Sequence, residues 1–127
     1  MEARDIMITD VVTVTPEMTV AEAADVLLRY RIHGAPVVGP ADTLVGMVSL
    51  VDLVGRYGDT VGDVMSTDPV TADEDTPVEE VARLMLDRMV RRVPIVRAGR
   101  VVGIISASDI IQLFLTLHDR PLERTSS

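Results

Sequence analysis

Apolar and polar positions follow the same order of short blocks twice along the chain. Residues 11–15 (VVTVT) and 69–73 (PVTAD) are short β-type segments, and each is followed by apolar residues at helical spacing. The predicted helical faces consist of Val20, Ala23, Ala24, Leu27 and Leu28 in the first half, and of Val78, Val81, Ala82, Met85 and Met89 in the second. The spacing predicts one amphipathic helix in each half of the chain.

The start of each predicted helix carries a capping signal. Thr19 is followed three residues later by Glu22, which matches a capping box. In the second half, Thr76 is followed by Pro77 and Glu79. Both helices are therefore expected to begin at a side-chain cap.

Two apolar strands and a second helix follow in each half. Residues 35–38 and 93–96 are rich in β-formers, turns are predicted at 39–43 and 97–100, and further strands at 44–49 and 101–106. The second helix begins at a Ser–x–x–Asp motif. Each half is thus predicted to be β-α-β-β-α, with residues 54–62 as a linker between them.

The two halves are copies of one unit. They align at an offset of 58 through Val38/Val96 and at 57 from Gly46/Gly103, and sixteen aligned positions are identical. One unit of about 50 residues would bury too little surface to be comfortably stable alone. We therefore expect the halves to face each other and to leave two equivalent clefts at their seam.

The repeated Ser–x–x–Asp motif has two interpretations. Ser49 with Asp52, and Ser106 with Asp109, have the spacing of a capping box without any ligand. The same residues suit a ligand, because a carboxylate can accept two charge-assisted hydrogen bonds from a ribose diol. The motif by itself leaves both interpretations open.

Composition and charge exclude several classes of function. The net charge of −8 disfavours binding to nucleic acid or an anionic membrane, and aromatic residues make up only 2% of the chain. All twelve basic residues are arginine and cysteine is absent, which excludes P-loop, Schiff-base and thiolate chemistry. The two histidines, His33 and His118, lack metal-ligand spacing, so no metal site and no catalytic residue is predicted.

The N-terminus lacks the pattern of a signal peptide, and a cytoplasmic location is expected.

The segments GAPVV–turn–LVGMVSLVDL and VPIV–turn–VVGIISASDI resemble the CBS domain, here as a tandem pair or Bateman module. The resemblance covers about residues 5–113. It implies an α+β fold of two CBS domains packed with pseudo-twofold symmetry, free-standing and without a catalytic domain. We expect domain 1 at residues 1–58, domain 2 at 59–120 and a flexible tail at 121–127.

The resemblance also implies a function. CBS pairs commonly sense adenosine-containing ligands, here AMP, ADP or ATP, with NAD or S-adenosylmethionine as alternatives, and no cofactor is expected. Many members form homodimers, which implies a homodimer, parallel or antiparallel, that signals to an unidentified effector protein. A structural homodimerisation module without a nucleotide is the alternative function, and an enzyme fits the sequence least well.

The resemblance assigns residues to two unequal sites. The stronger site is expected to contain Met7, Val12, Ile32, His33, Gly34, Arg91, Arg92, Ser106, Ser108 and Asp109. The weaker site is expected to contain Ser49, Asp52, Met65, Val70 and Val90, beside His33, Gly34 and Arg91. The ranking rests on phosphate capture, because Gly34 stands where the second copy has Arg92, and Val51 where it has Ser108.

Overall fold

The computed structural model describes residues 1–118, which form two similar α+β halves. The first half consists of α1 (Ala3–Ile6), α2 (Val20–Arg29), β1 (Gly34–Val38), β2 (Leu44–Ser49) and α3 (Leu50–Gly55), with a 3₁₀ turn at Pro40–Asp42. The second half consists of α4 (Val61–Val64), β3 (Ala72–Asp73), α5 (Val78–Arg88), β4 (Arg92–Arg97), β5 (Arg100–Ser106) and α6 (Ala107–His118). The tail predicted at 121–127 lies outside the described residues.

Each half contains a small sheet at its centre. Strand β1 pairs antiparallel with β2, and β4 pairs antiparallel with β5, while β3 lies parallel to β4. In the first half, the strand predicted at 11–15 is reduced to a single parallel bridge between Val14 and Val37. The β-α-β-β-α order is therefore confirmed in the second half and shortened at its first strand in the first half.

The N-terminal helix of each half packs on the opposite half. Ala3 of α1 is fully buried in the core of the second half, and its N–H donates to the carbonyl of Thr76. Val61 and Val64 of α4 are fully buried in the core of the first half. The prediction of a linker at 54–62 is therefore wrong at both ends, because α3 continues through Gly55 and Val61 already begins a buried helix. This exchange interlocks the two halves.

Two residues predicted on helical core faces are exposed instead. Leu28 is 66% exposed, whereas Leu27 beside it is fully buried, because the buried stripe of α2 is narrower than the apolar spacing suggests. Met89 is 90% exposed because it caps α5 in the left-handed conformation, with φ of 55°, and so leaves the helical phase.

One of the two predicted helix caps is present. At α2, the Glu22 N–H donates to Thr19 Oγ1 at 3.1 Å and the Thr19 N–H donates to Glu22 Oε1 at 2.9 Å. The prediction for α5 is wrong. That helix begins after Pro77, so Thr76 lies one residue too early and its hydroxyl instead accepts from the Asp73 N–H at 3.0 Å.

Candidate functional site

Both Ser–x–x–Asp motifs lie where a central strand runs into a helix, and both form capping boxes. The Ser49 N–H donates to Asp52 Oδ2 at 2.9 Å, and the Asp52 N–H donates to Ser49 Oγ at 3.1 Å. The corresponding distances at Ser106 and Asp109 are 2.8 and 3.2 Å. The capping interpretation of the motif is therefore confirmed in both copies.

Capping uses only part of each carboxylate. Oδ2 of each aspartate accepts the backbone bond, and Oδ1 of Asp52 lies 3.4 Å from Nε of the exposed Arg56. Among residues 1–118, Oδ1 of Asp109 has no hydrogen-bond partner. A carboxylate oxygen accepts more than one hydrogen bond, so each cap fixes an aspartate in place and leaves it able to bind a ligand.

The larger of the two clefts beside the Ser–x–x–Asp motifs, here called the wide cleft, has a volume of about 430 Å³ and contains the first motif. Both halves contribute to its walls. It is lined by Gly34, Met47, Val48, Ser49, Asp52, Ser66, Thr67, Asp68, Pro69, Val70, Met89, Val90, Arg91 and Arg92. This volume lies within the range of about 300–1,000 Å³ that is typical of small-molecule pockets.

The narrow cleft, of about 170 Å³, contains the second motif. It too is lined from both halves, by Ile8, Asp10, Val11, Val12, Ile32, Gly34, Arg92, Ile104, Ser106 and Asp109. Its volume is below the usual range for a small-molecule pocket. The duplicated motifs therefore stand beside two clefts of different size.

The structure brings together most of the residues assigned from sequence. In the narrow cleft it gathers Val12, Ile32, Gly34, Arg92, Ser106 and Asp109 of the predicted stronger site. In the wide cleft it gathers Ser49, Asp52, Val70 and Val90 of the predicted weaker site. Met7, His33, Arg91 and Ser108 do not line the narrow cleft, and Met65 does not line the wide one.

The two methionines lie elsewhere because each packs against a strand glycine. A Cβ at Gly103 would meet the sulfur of Met7 at 2.5 Å, and a Cβ at Gly46 would meet the sulfur of Met65 at 2.9 Å. Each methionine therefore occupies space that the glycine leaves open. These contacts hold the segments after α1 and α4 against the sheets of the opposite halves.

Arg91 lines the wide cleft, and His33 lies in a pocket that adjoins it. A pocket of about 320 Å³ is lined by His33, Ser49, Leu50, Val51, Arg91 and Arg92, and it shares Ser49 and both arginines with the wide cleft. Ser108 lies in the first turn of α6, with its hydroxyl 3.0 Å from that of Ser106. The wide cleft thus continues into a pocket with two arginines and a histidine in its walls.

Arg92 lies between the two clefts and lines both. Its side chain is half-buried, and burial, followed by the nearby charge of Arg91, lowers the pKa of Arg92. Its guanidinium passes close to Gly34, since a Cβ at that glycine would lie 3.2 Å from Arg92 Nη1. Within residues 1–118, no carboxylate forms a salt bridge with it. A partly desolvated cation of this kind is suited to an anionic ligand.

The charges of the walls favour the wide cleft for an anion. It has Arg91 and Arg92 against Asp52 and Asp68, whereas the narrow cleft has Arg92 alone against Asp10 and Asp109. Volume and charge thus both favour the site that the sequence ranks as weaker. The ranking of the two sites stays a prediction.

Two acidic residues not predicted from the sequence, Asp10 and Asp68, stand at equivalent positions in the two clefts. The signal was present in the repeat, because Thr9–Asp10 and Thr67–Asp68 are identical polar pairs within the well-matched segments 5–13 and 63–71. A polar pair retained in both copies of a duplicated unit indicates a shared position, here at the seam.

No group of three or more histidine, aspartate or glutamate side chains is arranged to hold a metal ion within residues 1–118. Within the same residues, the helices are too short or too polar to cross a bilayer.

The family model of the CBS domain matches the chain twice, over residues 3–59 and 61–116. The chain belongs to the CBS-domain family. Its two halves are therefore a pair of CBS domains, and the α+β fold expected from the resemblance is confirmed.

Curated relatives of this CBS-domain pair differ widely in length. Inosine-5'-monophosphate dehydrogenase of Methanocaldococcus jannaschii is 42% identical over 114 residues, which are 87% of this chain but only 23% of the dehydrogenase. The chain thus spans about a quarter of that relative. The CBS domain-containing protein YhcV of Bacillus subtilis is 35% identical over 84% of this chain and 81% of its own length.

Solved structures of CBS pairs have the same architecture. CBSX2 of Arabidopsis thaliana, solved in complex with AMP, has a TM-score of 0.86 at 30% identity and covers 92% of this chain and 98% of its own. The CBS pair of MJ0100, solved with 5'-methylthioadenosine and S-adenosyl-L-methionine, has a TM-score of 0.84 at 31% identity and covers 90% and 95%. Both neighbours were solved with adenosine-containing ligands.

Proposed function

We propose that this CBS pair is a regulatory module that binds an adenine nucleotide at the seam between its repeats. The observation that carries the proposal is the wide cleft between the two repeats. It combines Asp52, whose side chain is held in the α3 cap, with the two arginines Arg91 and Arg92. The AMP and S-adenosylmethionine complexes of the structural neighbours support the same class of ligand.

Each wall of the wide cleft matches one part of a nucleotide. Asp52 is positioned to accept hydrogen bonds from the ribose hydroxyls, since its cap uses only one of its oxygens for the backbone. The apolar side chains of Val70 and Val90 suit the adenine ring. Arg91 and Arg92 line both the cleft and the adjoining pocket, where they would meet the phosphate.

The arginines favour AMP, ADP or ATP over S-adenosylmethionine. A phosphate gains from two guanidinium groups, whereas the sulfonium of S-adenosylmethionine is itself cationic. NAD, which carries two phosphates, remains the second choice. The nucleotide acts as a regulatory ligand in this proposal, not as a cofactor.

A thermal melt with AMP, ADP, ATP, NAD and S-adenosylmethionine tests the binding. A ligand at 100 times its Kd stabilises the folded state by about 2.7 kcal/mol, which raises Tm by several degrees. Absence of a shift with every compound would refute nucleotide binding. That outcome would favour the alternative of a structural dimerisation module.

Two aspartate variants test the choice of cleft. Asp52→Ala is expected to remove most of the shift, and Asp109→Ala to leave most of it, because the wide cleft has the larger volume and the second arginine. Each variant also loses its cap, so Asp52→Asn and Asp109→Asn, which keep an acceptor for the serine N–H, serve as controls for folding. The opposite result would support the ranking made from sequence.

Signalling requires that the nucleotide bind two arrangements of the repeats with different affinity. A ligand in the wide cleft contacts both repeats and is thus able to favour one arrangement, which an effector protein would recognise. We infer a role without catalysis, in the cytoplasm and away from nucleic acid and membranes.

We also propose a homodimer formed through the outer helices. Several large apolar side chains on these helices are exposed: Leu28, Val51, Val54, Leu86, Met89, Ile111, Phe114, Leu115 and Leu117. Contiguous exposed apolar patches usually mark interfaces, and four of these side chains, Ile111, Phe114, Leu115 and Leu117, lie within two turns of α6.

Light scattering after size exclusion measures the oligomeric state. The wild type is expected at twice the chain mass, and Phe114→Glu with Leu117→Glu is expected at the mass of one chain. Gln112→Glu introduces a charge on the same helix at an exposed polar residue and serves as the control. A monomeric wild type would overturn the homodimer.

A further inference from the structure

Among the described basic residues, Arg92 alone lines both clefts. It is the first residue of β4, and its pairing with Ser106 of β5 places it beside the second motif. Its guanidinium reaches across the seam to Gly34, the first residue of β1, which pairs with Ser49 of the first motif. One cation therefore stands between two potential anion sites.

The alignment of the two repeats explains why only one arginine occupies this position at the seam. Gly34 aligns with Arg92 at the offset of 58, so the first copy lacks the arginine that the second copy has. The missing side chain also makes room for the one that is present. A Cβ at Gly34 would lie 3.2 Å from Arg92 Nη1 and 3.0 Å from the carbonyl oxygen of Val48. Glycine at this position thus allows Arg92 to extend to the wide cleft.

We propose that the two clefts compete for Arg92, so that binding a phosphorylated ligand in one weakens binding of a second in the other. The inference rests on the proposed function, since it requires nucleotides at the seam. A guanidinium that pairs with one phosphate directs its donors to that phosphate and leaves the other cleft with less positive charge. In the narrow cleft, Asp10 and Asp109 would then have no basic partner on the cleft wall.

The expected size of the effect follows from the contact that is lost. A hydrogen bond to a charged group corresponds to about a tenfold to hundredfold change in affinity. The second nucleotide should therefore bind at least about tenfold more weakly than the same cleft binds it when the other is empty. Adenosine, which has no phosphate to attract Arg92, should show almost no such difference.

Isothermal titration with AMP measures this coupling. In the wild type, the second binding step reports the narrow cleft while the wide cleft is occupied. In Asp52→Ala, the wide cleft is disabled and the same narrow cleft is measured alone, with Asp52→Asn as a second variant that keeps an acceptor for the α3 cap. Circular dichroism verifies that each variant is folded.

We expect the Kd of the second AMP binding step in the wild type to exceed the Kd of AMP for Asp52→Ala by at least about tenfold. The ratio of these two Kd values should fall to within about twofold when Arg92→Gln is present in both proteins. Equal Kd values, or absence of binding to Asp52→Ala, would overturn the proposal. A ratio that persists in Arg92→Gln would also overturn it, because direct repulsion between the two phosphates would then be the cause. Failure of the wild type to bind AMP, together with no thermal shift by ADP, ATP, NAD or S-adenosylmethionine, would instead overturn the proposed function itself.

Discussion

Replacement of Gly46 by alanine is expected to separate the two repeats at their seam. A Cβ at Gly46 would lie 2.6 Å from the carbonyl oxygen of Ser66, closer than two such atoms approach. That oxygen accepts the Met47 N–H at 3.0 Å, and the Ser66 N–H donates to the Met47 carbonyl at 2.8 Å. The substitution therefore displaces the backbone pairing that joins β2 of the first half to the segment after α4 in the second half.

The cost can be estimated from these contacts. Overpacking of a buried site costs about 1–3 kcal/mol, and two weakened backbone hydrogen bonds add about 0.5–1.5 kcal/mol each. We expect a total loss of about 2–4 kcal/mol after partial relaxation, which for a chain of this size lowers Tm by about 6–20 °C. Urea unfolding followed by circular dichroism measures the free energy of unfolding directly.

Two other glycines provide matched comparisons. Gly103 is the equivalent of Gly46, but its added Cβ would meet the side chain of Met7, whose flexible end is able to move. Gly103→Ala should therefore cost less than Gly46→Ala. At Gly55 nothing lies within 4 Å, so alanine in this helix should stabilise by up to about 1 kcal/mol. Wild-type stability of Gly46→Ala, or a greater loss in Gly103→Ala, would refute the reasoning.

Two further predictions concern the exchanged helix and the response to acid. Val61→Ala should lower the free energy of unfolding by about 1.5–3 kcal/mol, because Val61 is fully buried in the core of the first half. The control Val54→Ala, at an 84% exposed position, should change it by less than about 0.5 kcal/mol. Urea unfolding measures the free energy of unfolding of both variants. Arg97 donates to both carboxylate oxygens of Glu74, at 2.7 and 2.9 Å, and its hydrogen bond lowers the pKa of Glu74. Since the folded-state pKa is the lower one, this stabilisation is complete above the unfolded value near 4.5 and is lost as pH falls through the folded value. Glu74→Gln should therefore show a smaller loss of Tm than the wild type between about pH 7 and pH 3, and an equal loss would contradict the assignment.

Local spacing in the sequence was sufficient to predict the repeated elements. The β2 strand at Leu44–Ser49 and the Thr19 capping box were predicted because strand alternation, turn residues and caps act over a few neighbouring residues. Local spacing failed where a helix boundary depended on a single residue. Pro77 moved the start of α5 past Thr76, and Met89 left the helix in a left-handed conformation.

The sequence by itself determined that the chain is a duplicated unit, that each copy ends its central hairpin at a Ser–x–x–Asp motif, and that arginines are concentrated around 88–100. Only the tertiary structure decided that α1 and α4 pack on the opposite halves, that the two clefts differ in volume, and that Arg92 reaches both. The physical reason is that these features depend on contacts between residues far apart in the chain. Which cleft a long side chain enters is set by the space that its neighbours leave, and at this seam the missing side chain of Gly34 leaves that space.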